Sequence, residues 1–221
     1  TFKGEQPSTI QDFFDIEKFP GKRGIHTWAS AITEMALYAD GVAIPDIYDV
    51  LSTQEGQDRA FAKLDTIKDH VVFWSSGAKP LDLINSGEVS MSLAYNGRIG
   101  GAVLNDGADY VTVWDGQVLE EEWLVLMNGA PNRAAALHFL VHASSTQAQA
   151  DQAKWINYGP MRPSALPIME AGEPWFNTGV NIMEHMPNTD EHMKGGILAD
   201  PDWWADNGQA VNDRYAAWMA Q

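Results

Sequence analysis

The chain has 221 residues, of which 45% are hydrophobic and 20% charged, and it contains no cysteine. This composition is typical of a folded globular protein and excludes a disordered chain. Without cysteine there can be no disulfide, no thiolate nucleophile and no cysteine-rich zinc site. The formal net charge of −16 opposes binding to nucleic acid or to anionic lipid. The acidity fits solubility alone or a cationic ligand, and composition does not separate the two.

Two further features bear on location. The longest strongly apolar stretches, such as residues 134–143, fall short of the roughly 20 apolar residues that a membrane-spanning helix needs. The amino-terminal residues TFKGE lack the basic and apolar regions of a secretion signal. The expectation is therefore a cytoplasmic protein or a chain whose upstream sequence is absent. Residues 6–15 resemble a mid-chain connector and favour the second.

Helical and strand patterns alternate along the first half of the chain. The apolar spacing predicts helices over residues 29–39, 44–51, 57–70 and 80–86. Compact apolar runs predict strands over residues 23–27, 71–75 and 89–95. A turn is predicted at Asn96 and Gly97, directly after the last of these strands.

The second half continues the alternation. Strands are predicted over residues 110–114 and 122–127. Helices are predicted over residues 132–143, 146–156 and 209–221. Short buried strands separated by helices are typical of an α/β domain with a largely parallel sheet.

Several segments follow each other in the order found in one known family. They are PSTIQDFFD at 7–15, FPGKR at 19–23, EMALYADGV at 34–42, SGEV at 86–89, AYNGR at 94–98, NGAPN at 128–132 and YGP at 158–160. Each segment is short, but together they extend over most of the chain. On these segments the chain resembles the spermidine/putrescine-binding family of periplasmic solute-binding proteins.

The resemblance implies an α/β periplasmic-binding-protein-like fold of type II, in which two lobes close by a hinge around a ligand. Residues 1–120 would form the main part of the second lobe, 121–166 the crossover and a portion of the first lobe, and 167–221 the return to the second lobe with the C-terminal helix. The first part of the family's sequence, about a hundred residues, has no counterpart in this chain. The resemblance also implies a periplasmic protein that works with the membrane permease of an ABC importer, without a cofactor and without enzymatic activity.

The missing part of the first lobe has a physical consequence. Leu137, Leu140 and Val141 on the predicted helix would stay exposed, at a cost of about 1.5–3 kcal/mol for each large side chain. We therefore expect this segment to repack on the second lobe, to form a dimer, or to pair with a companion fragment.

Four candidate ligand-binding residues follow from strand ends and from the family pattern. Tyr95 lies at the end of a predicted parallel strand, where α/β sheets place ligand contacts, and the family has a ligand-contacting aromatic there. Asn96 is part of the adjoining turn. Arg98 either binds an anionic group or caps a helix. Tyr158 matches an aromatic family position that faces the ligand.

The remaining candidates concern the ligand's charge. Glu122 is the best match to the family's acidic residue near the crossover, which pairs with a ligand ammonium, although the run from Glu120 to Glu122 also resembles a solvated hinge. Trp28 stands where polyamine binders have acidic residues. Its ring suits a bulky cation through cation–π contact, worth about 0.5–2 kcal/mol, or else it packs in the core. The predicted ligand is a small nitrogenous, polyamine-like cation.

Other functions have weaker support. Ser76 and Lys79 fit an S-x-x-K pattern, but neither S-D-N nor K-T-G occurs in the chain. His138 and His142 could hold a metal from one helix face, but the H-E-x-x-H glutamate is absent. Residues 97–101 are glycine-rich without matching a phosphate-binding pattern. An interaction domain without a small ligand stays open as an alternative.

Overall fold

The computed structural model describes residues 2, 4–171 and 179–221. They form two compact units, each described separately below. Unit 1 comprises Thr1–Tyr95, Val111–Glu120 and His192–Gln221. Unit 2 comprises Asn96–Tyr110 and Glu121–Glu191.

Regular secondary structure is short and mostly helical. The helices are α1 Ile10–Phe14, α2 Ile32–Ala39, α3 Ile47–Leu51, α4 Gln54–Asp65, α5 Lys79–Asn85, α6 Asn96–Asp106, α7 Arg133–Ala143, α8 Thr146–Gln152, α9 Leu166–Glu170 and α10 Pro201–Met219. The strands are β1 Arg23–His26, β2 Val71–Trp74, β3 Met91–Ser92, β4 Val118–Leu119 and β5 Ile197–Leu198. No helix in the described ranges combines the length and the apolar character needed to cross a membrane.

Unit 1 contains a parallel sheet with the strand order β2-β1-β3. Arg23 pairs with Val71 on one side and with Met91 on the other. All four residues of β1 are buried, as expected for a central parallel strand. Because the three strands run in the same direction, their carboxyl ends meet at one edge of the sheet. A second sheet in this unit pairs β4 with β5, also in parallel.

The core of unit 1 is built from apolar side chains of the sheet, α2, α4 and α10. Its buried members include Ile25, Ile32, Leu64, Val211 and Tyr215. The apolar spacing in the sequence predicted the stripes of α2 and α4, and both helices are present. Helix α10 begins eight residues before the predicted start, because Asp200 caps it by accepting a hydrogen bond from the amide of Trp203, and Pro201 occupies its first turn.

Arg23 is fully buried at the start of the central strand. Its guanidinium donates hydrogen bonds to the backbone carbonyls of Phe13, Asp15, Phe19 and Gly21, over 2.6–3.2 Å. Burial lowers its pKa to about 10. The side chain therefore ties α1 and the loop after it to the sheet through backbone acceptors.

Glu34 is a second buried polar residue, on α2. Its carboxylate accepts hydrogen bonds from Thr33, Tyr48 and the indole of Trp204, the last at 2.8 Å. Burial raises its pKa, while these donors oppose the shift. The contact with Trp204 joins the C-terminal helix α10 to α2.

Unit 2 has a small core and a large exposed apolar surface. Its buried cluster consists of Ala150, Ala153, Ala165, Met169, Ile182 and Met186. Helix α7 contributes no buried residue. Among its apolar side chains, Phe139 is 59% exposed and Val141 75%.

Four local predictions are wrong in whole or in part. Residues 110–114 and 122–127 form no strand, since neither run pairs with another described segment. Asn96 and Gly97 open α6 instead of forming a turn. The predicted strand over 89–95 is reduced to β3.

Candidate functional site

Aromatic side chains gather at the carboxyl edge of the three-stranded sheet in unit 1. Trp74 ends β2, Trp28 lies two residues after β1, and Tyr95 lies three residues after β3. The Trp28 and Trp74 rings meet edge-on, with centroids 5.3 Å apart, and Trp74 meets Tyr95 at 6.3 Å. The structure thus joins two of the predicted site residues, Trp28 and Tyr95, through a third ring that the sequence pattern did not single out.

His26 packs against two rings of this cluster, Trp28 and Trp74. Its imidazole stacks on Trp28 with centroids 4.2 Å apart and planes 2° from parallel, and it meets Trp74 edge-on. Its Nδ1 lies 2.7 Å from the carbonyl oxygen of Trp28. Because a carbonyl can only accept, Nδ1 carries a proton. Burial lowers the pKa of His26 to about 4, so the ring is neutral at neutral pH.

The cluster combines a buried base with an accessible face. Trp74 is only 3% exposed, whereas Tyr95 is 41% exposed and Trp28 is half-buried. Gly77 lets the Tyr95 ring approach closely, since a Cβ at that position would lie 2.9 Å from the ring. The indole N–H of Trp74 is buried and has no hydrogen-bond partner within the described chain. The accessible rings suit an apolar or cationic group.

In unit 2, three of the predicted residues lie on or beside the first turn of α6. Asn96 donates a hydrogen bond to the backbone carbonyl of Asn157 at 2.5 Å. The ring of Tyr158 packs against Gly97, where a Cβ would come within 2.7 Å of it. Arg98 is exposed on the same turn. Asn96 and Tyr158 are therefore held close together by the contact between α6 and the segment after α8.

Glu122 occupies a different setting. It is exposed on a segment of unit 2 without regular secondary structure. Its neighbour Glu121 accepts a hydrogen bond from the indole of Trp123 at 3.0 Å. No hydrogen bond or ion pair of the described residues involves Glu122 itself.

A metal centre has no support in the part of the chain that the structure describes, where no three metal-binding side chains form a group. His138 and His142 are both exposed on α7. Ser76 and Lys79, the two residues of the S-x-x-K pattern, are joined by a backbone turn. In this turn the amide of Lys79 donates a hydrogen bond to the carbonyl of Ser76 at 2.9 Å. This turn leads into α5.

Comparison with known proteins points to one class. Residues 1–184 match the family described as "Bacterial extracellular solute-binding protein". The chain is 36% identical, over 215 residues, to the gamma-aminobutyric acid-binding protein of Pseudomonas aeruginosa. The aligned region covers 97% of this chain and 58% of the relative. The chain therefore spans less than two thirds of that relative's length.

Solved structures give the same picture. An ABC transporter substrate-binding protein from Bradyrhizobium japonicum is 33% identical and superimposes with a TM-score of 0.82. The match covers 98% of this chain and 64% of the Bradyrhizobium chain. MotA from Agrobacterium tumefaciens B6, solved in complex with glucopine, is 30% identical with a TM-score of 0.78. This match covers 96% of the present chain and 64% of MotA. These similarities confirm the predicted α/β fold of the periplasmic binding proteins.

Proposed function

Because the chain belongs to the bacterial extracellular solute-binding proteins, we propose that it is the solute-capturing part of an ABC importer in the periplasm and catalyses no reaction. The relatives named above bind small molecules or are called substrate-binding proteins. The partners that this role requires are a small solute and a membrane permease.

The observation that carries the proposal is the aromatic cluster at the carboxyl edge of the unit 1 sheet. Ligands of open α/β sheets bind at this edge, because loops and helix starts converge there. Trp28 and Tyr95 offer ring faces, while the neutral His26 beneath them places no positive charge against an incoming cation. A small solute with an ammonium or substituted ammonium group fits this surface.

We narrow the ligand to a solute that carries both an ammonium and a carboxylate group. The Pseudomonas relative is named for gamma-aminobutyric acid (GABA), which has one group at each end. A guanidinium such as that of Arg98, one of the candidate ligand-binding residues, suits a carboxylate. The resemblance to polyamine binders assigns an ammonium to Glu122.

A thermal-shift screen of the full-length protein tests this function. GABA, putrescine, glycine betaine and butyrate serve as probes, and a solute at 100 times its Kd stabilises the folded state by about 2.7 kcal/mol. We expect GABA to raise the melting temperature more than butyrate or putrescine does. Trp28→Ala should weaken the shift, whereas Trp155→Ala, which removes an indole that is 69% exposed in unit 2, should leave it unchanged. If no nitrogenous solute stabilises the protein, the proposed function is wrong.

The exposed apolar side chains of unit 2 suggest a macromolecular contact as well. Trp123, Val125 and Met127 are each more than 60% exposed, and α7 buries no side chain. A helix that is apolar on all sides is normally buried. We propose that another polypeptide, a companion segment or a second copy, covers this surface. Gel filtration with mass spectrometry tests the idea, and a compact 24.4 kDa monomer without a companion would contradict it.

A further inference from the structure

Asparagine is followed by glycine at three places in the chain, and each pair lies in a different setting. The pair at 96–97 opens α6, the pair at 207–208 lies inside α10, and the pair at 128–129 lies in a turn of unit 2. The backbone nitrogen of a glycine can attack the side chain of a preceding asparagine, because no Cβ on the glycine shields it. The folded structure therefore determines which of the three pairs can react.

The turn that contains Asn128 and Gly129 connects the largely exposed segment 121–127 to the residues that lead into α7. It is closed by the amide of Ala130, which donates to the carbonyl of Met127 at 3.2 Å. Asn128 and Gly129 are both exposed, Gly129 has a φ of 77°, and a Cβ added to it would meet nothing within 4 Å. Among the described residues, neither the side-chain amide of Asn128 nor the backbone amide of Gly129 has a hydrogen-bond partner. Nothing in this turn keeps the two groups apart.

The other two pairs are held by helical backbone and by hydrogen bonds. The side-chain amide of Asn96 donates to the carbonyl of Asn157 at 2.5 Å, and Gly97 is buried. The side-chain amide of Asn207 donates to the backbone carbonyl one turn earlier at 3.0 Å, and Gly208 is buried inside α10. Helical dihedral angles direct each backbone amide along the helix axis, away from the side chain of the residue before it. Both pairs must leave the helix before they can react.

We propose that Asn128 is a site of spontaneous deamidation, whereas the contacts of Asn96 and Asn207 protect those two residues. The backbone nitrogen of Gly129 loses its proton and forms a bond to the side-chain amide carbon of Asn128. The amide nitrogen leaves as ammonia, and the product is a cyclic succinimide. Water then opens the ring at either carbonyl and leaves aspartate or isoaspartate. Water is the only co-reactant, and the reaction is independent of the proposed function.

Deamidation would change the turn in two ways. The new carboxylate is ionised at neutral pH, because aspartate has a pKa of about 3.9, so the chain gains a negative charge. Isoaspartate also carries the main chain through its side chain, which adds a methylene group between Met127 and Ala130. The hydrogen bond that closes the turn then spans a longer loop, and we expect it to be lost. The modification would thereby loosen the connection between segment 121–127 and α7.

Peptide mapping by mass spectrometry, after incubation of the chain at mildly alkaline pH, tests the proposal. One sample stays folded and a second is held in guanidinium chloride, and the incubation ends when the Asn128 peptide of the unfolded sample is half converted. In the unfolded sample the three peptides should react at similar rates, because each contains the same Asn-Gly pair. In the folded sample Asn128 should react at least about tenfold faster than Asn96 and Asn207, which need local opening of their helices first.

Asn128→Gln serves as the matched variant, because a glutamine would have to form a larger ring. The folded variant should lack the acidic form that ion-exchange chromatography separates from the wild type. A smaller advantage of Asn128 over the other two pairs in the folded wild type would overturn the proposal. So would an intact Asn128 in the folded sample at the time when the unfolded sample is half converted.

Discussion

The free energy of unfolding of the protein should depend on pH through His26, which lies in the aromatic cluster. This imidazole is 5% exposed, stacked on Trp28, and its folded-state pKa is lowered to about 4 by burial. A histidine in an unfolded chain has a pKa of about 6.5. Between these two values the unfolded chain binds a proton that the folded protein does not, so stability falls as the pH falls through this window.

The size of the effect follows from the two pKa values. Lowering the pH from about 7.5 to about 5 should remove about 2 kcal/mol from the free energy of unfolding, and about 3 kcal/mol is the limit below about pH 4. In His26→Gln, the amide can still donate to the carbonyl of Trp28 but cannot titrate. This variant should therefore lose about 2 kcal/mol less than the wild type over the same pH interval.

Urea unfolding at a series of pH values, followed by near-ultraviolet circular dichroism, measures the difference. The two proteins are compared by the slope of the free energy of unfolding against pH. A loss of stability in the variant that is equal at every pH does not change this slope. His70→Gln removes an exposed imidazole and controls for the loss of a histidine outside the cluster. Parallel slopes for His26→Gln and the wild type would refute the assignment of a buried neutral imidazole.

Two packing predictions complete the set. Gly97→Ala should destabilise unit 2 by about 1–3 kcal/mol in urea unfolding, because the new methyl group would meet the Tyr158 ring at 2.7 Å. Gly101→Ala on the same helix, with open space around it, should be neutral or stabilising by up to about 1 kcal/mol, and equal effects of the two would contradict the packing. Arg23→Met should cost about 3–5 kcal/mol, since the carbonyls of Phe13, Phe19 and Gly21 lose the Arg23 donor, while that of Asp15 keeps the amide of Phe19. The exposed Lys22→Met should stay within about 0.5 kcal/mol. A tolerant Arg23 would refute its role as a buried anchor.

The parts of the fold predicted from sequence are those set by local pattern. The apolar periodicity located α2, α4 and α7 to within a few residues, and the compact runs located β1 and β2. The run YVTVW at 110–114 has strong strand propensity but no strand, because a strand needs a neighbour to pair with, and pairing is not encoded in the run itself. The start of α6 was missed for a similar reason, since the side chain that occupies the space over Gly97 comes from Tyr158, 61 residues later.

The candidate site, like the fold, was predicted from the sequence only in part. Trp28 and Tyr95 were predicted as ligand contacts, and the structure gives them a common neighbour in Trp74. That tryptophan was hidden inside a run that predicted a buried strand, although its place as the last residue of a parallel strand was an available signal. Glu122 stays a prediction, because the family pattern gives its position in the chain and the structure places it on an exposed segment of unit 2.

The edge of unit 1 that carries the aromatic cluster is positioned by helix α10. Asn212 on α10 accepts a hydrogen bond from the amide of Ala29 at 2.9 Å, and Tyr215 donates to the carbonyl of His26 at 2.9 Å. Both contacts join residues more than 180 positions apart, and both reach the segment that carries Trp28. Because these contacts set the ring face without any solute, we expect little ordering entropy to oppose the proposed binding there.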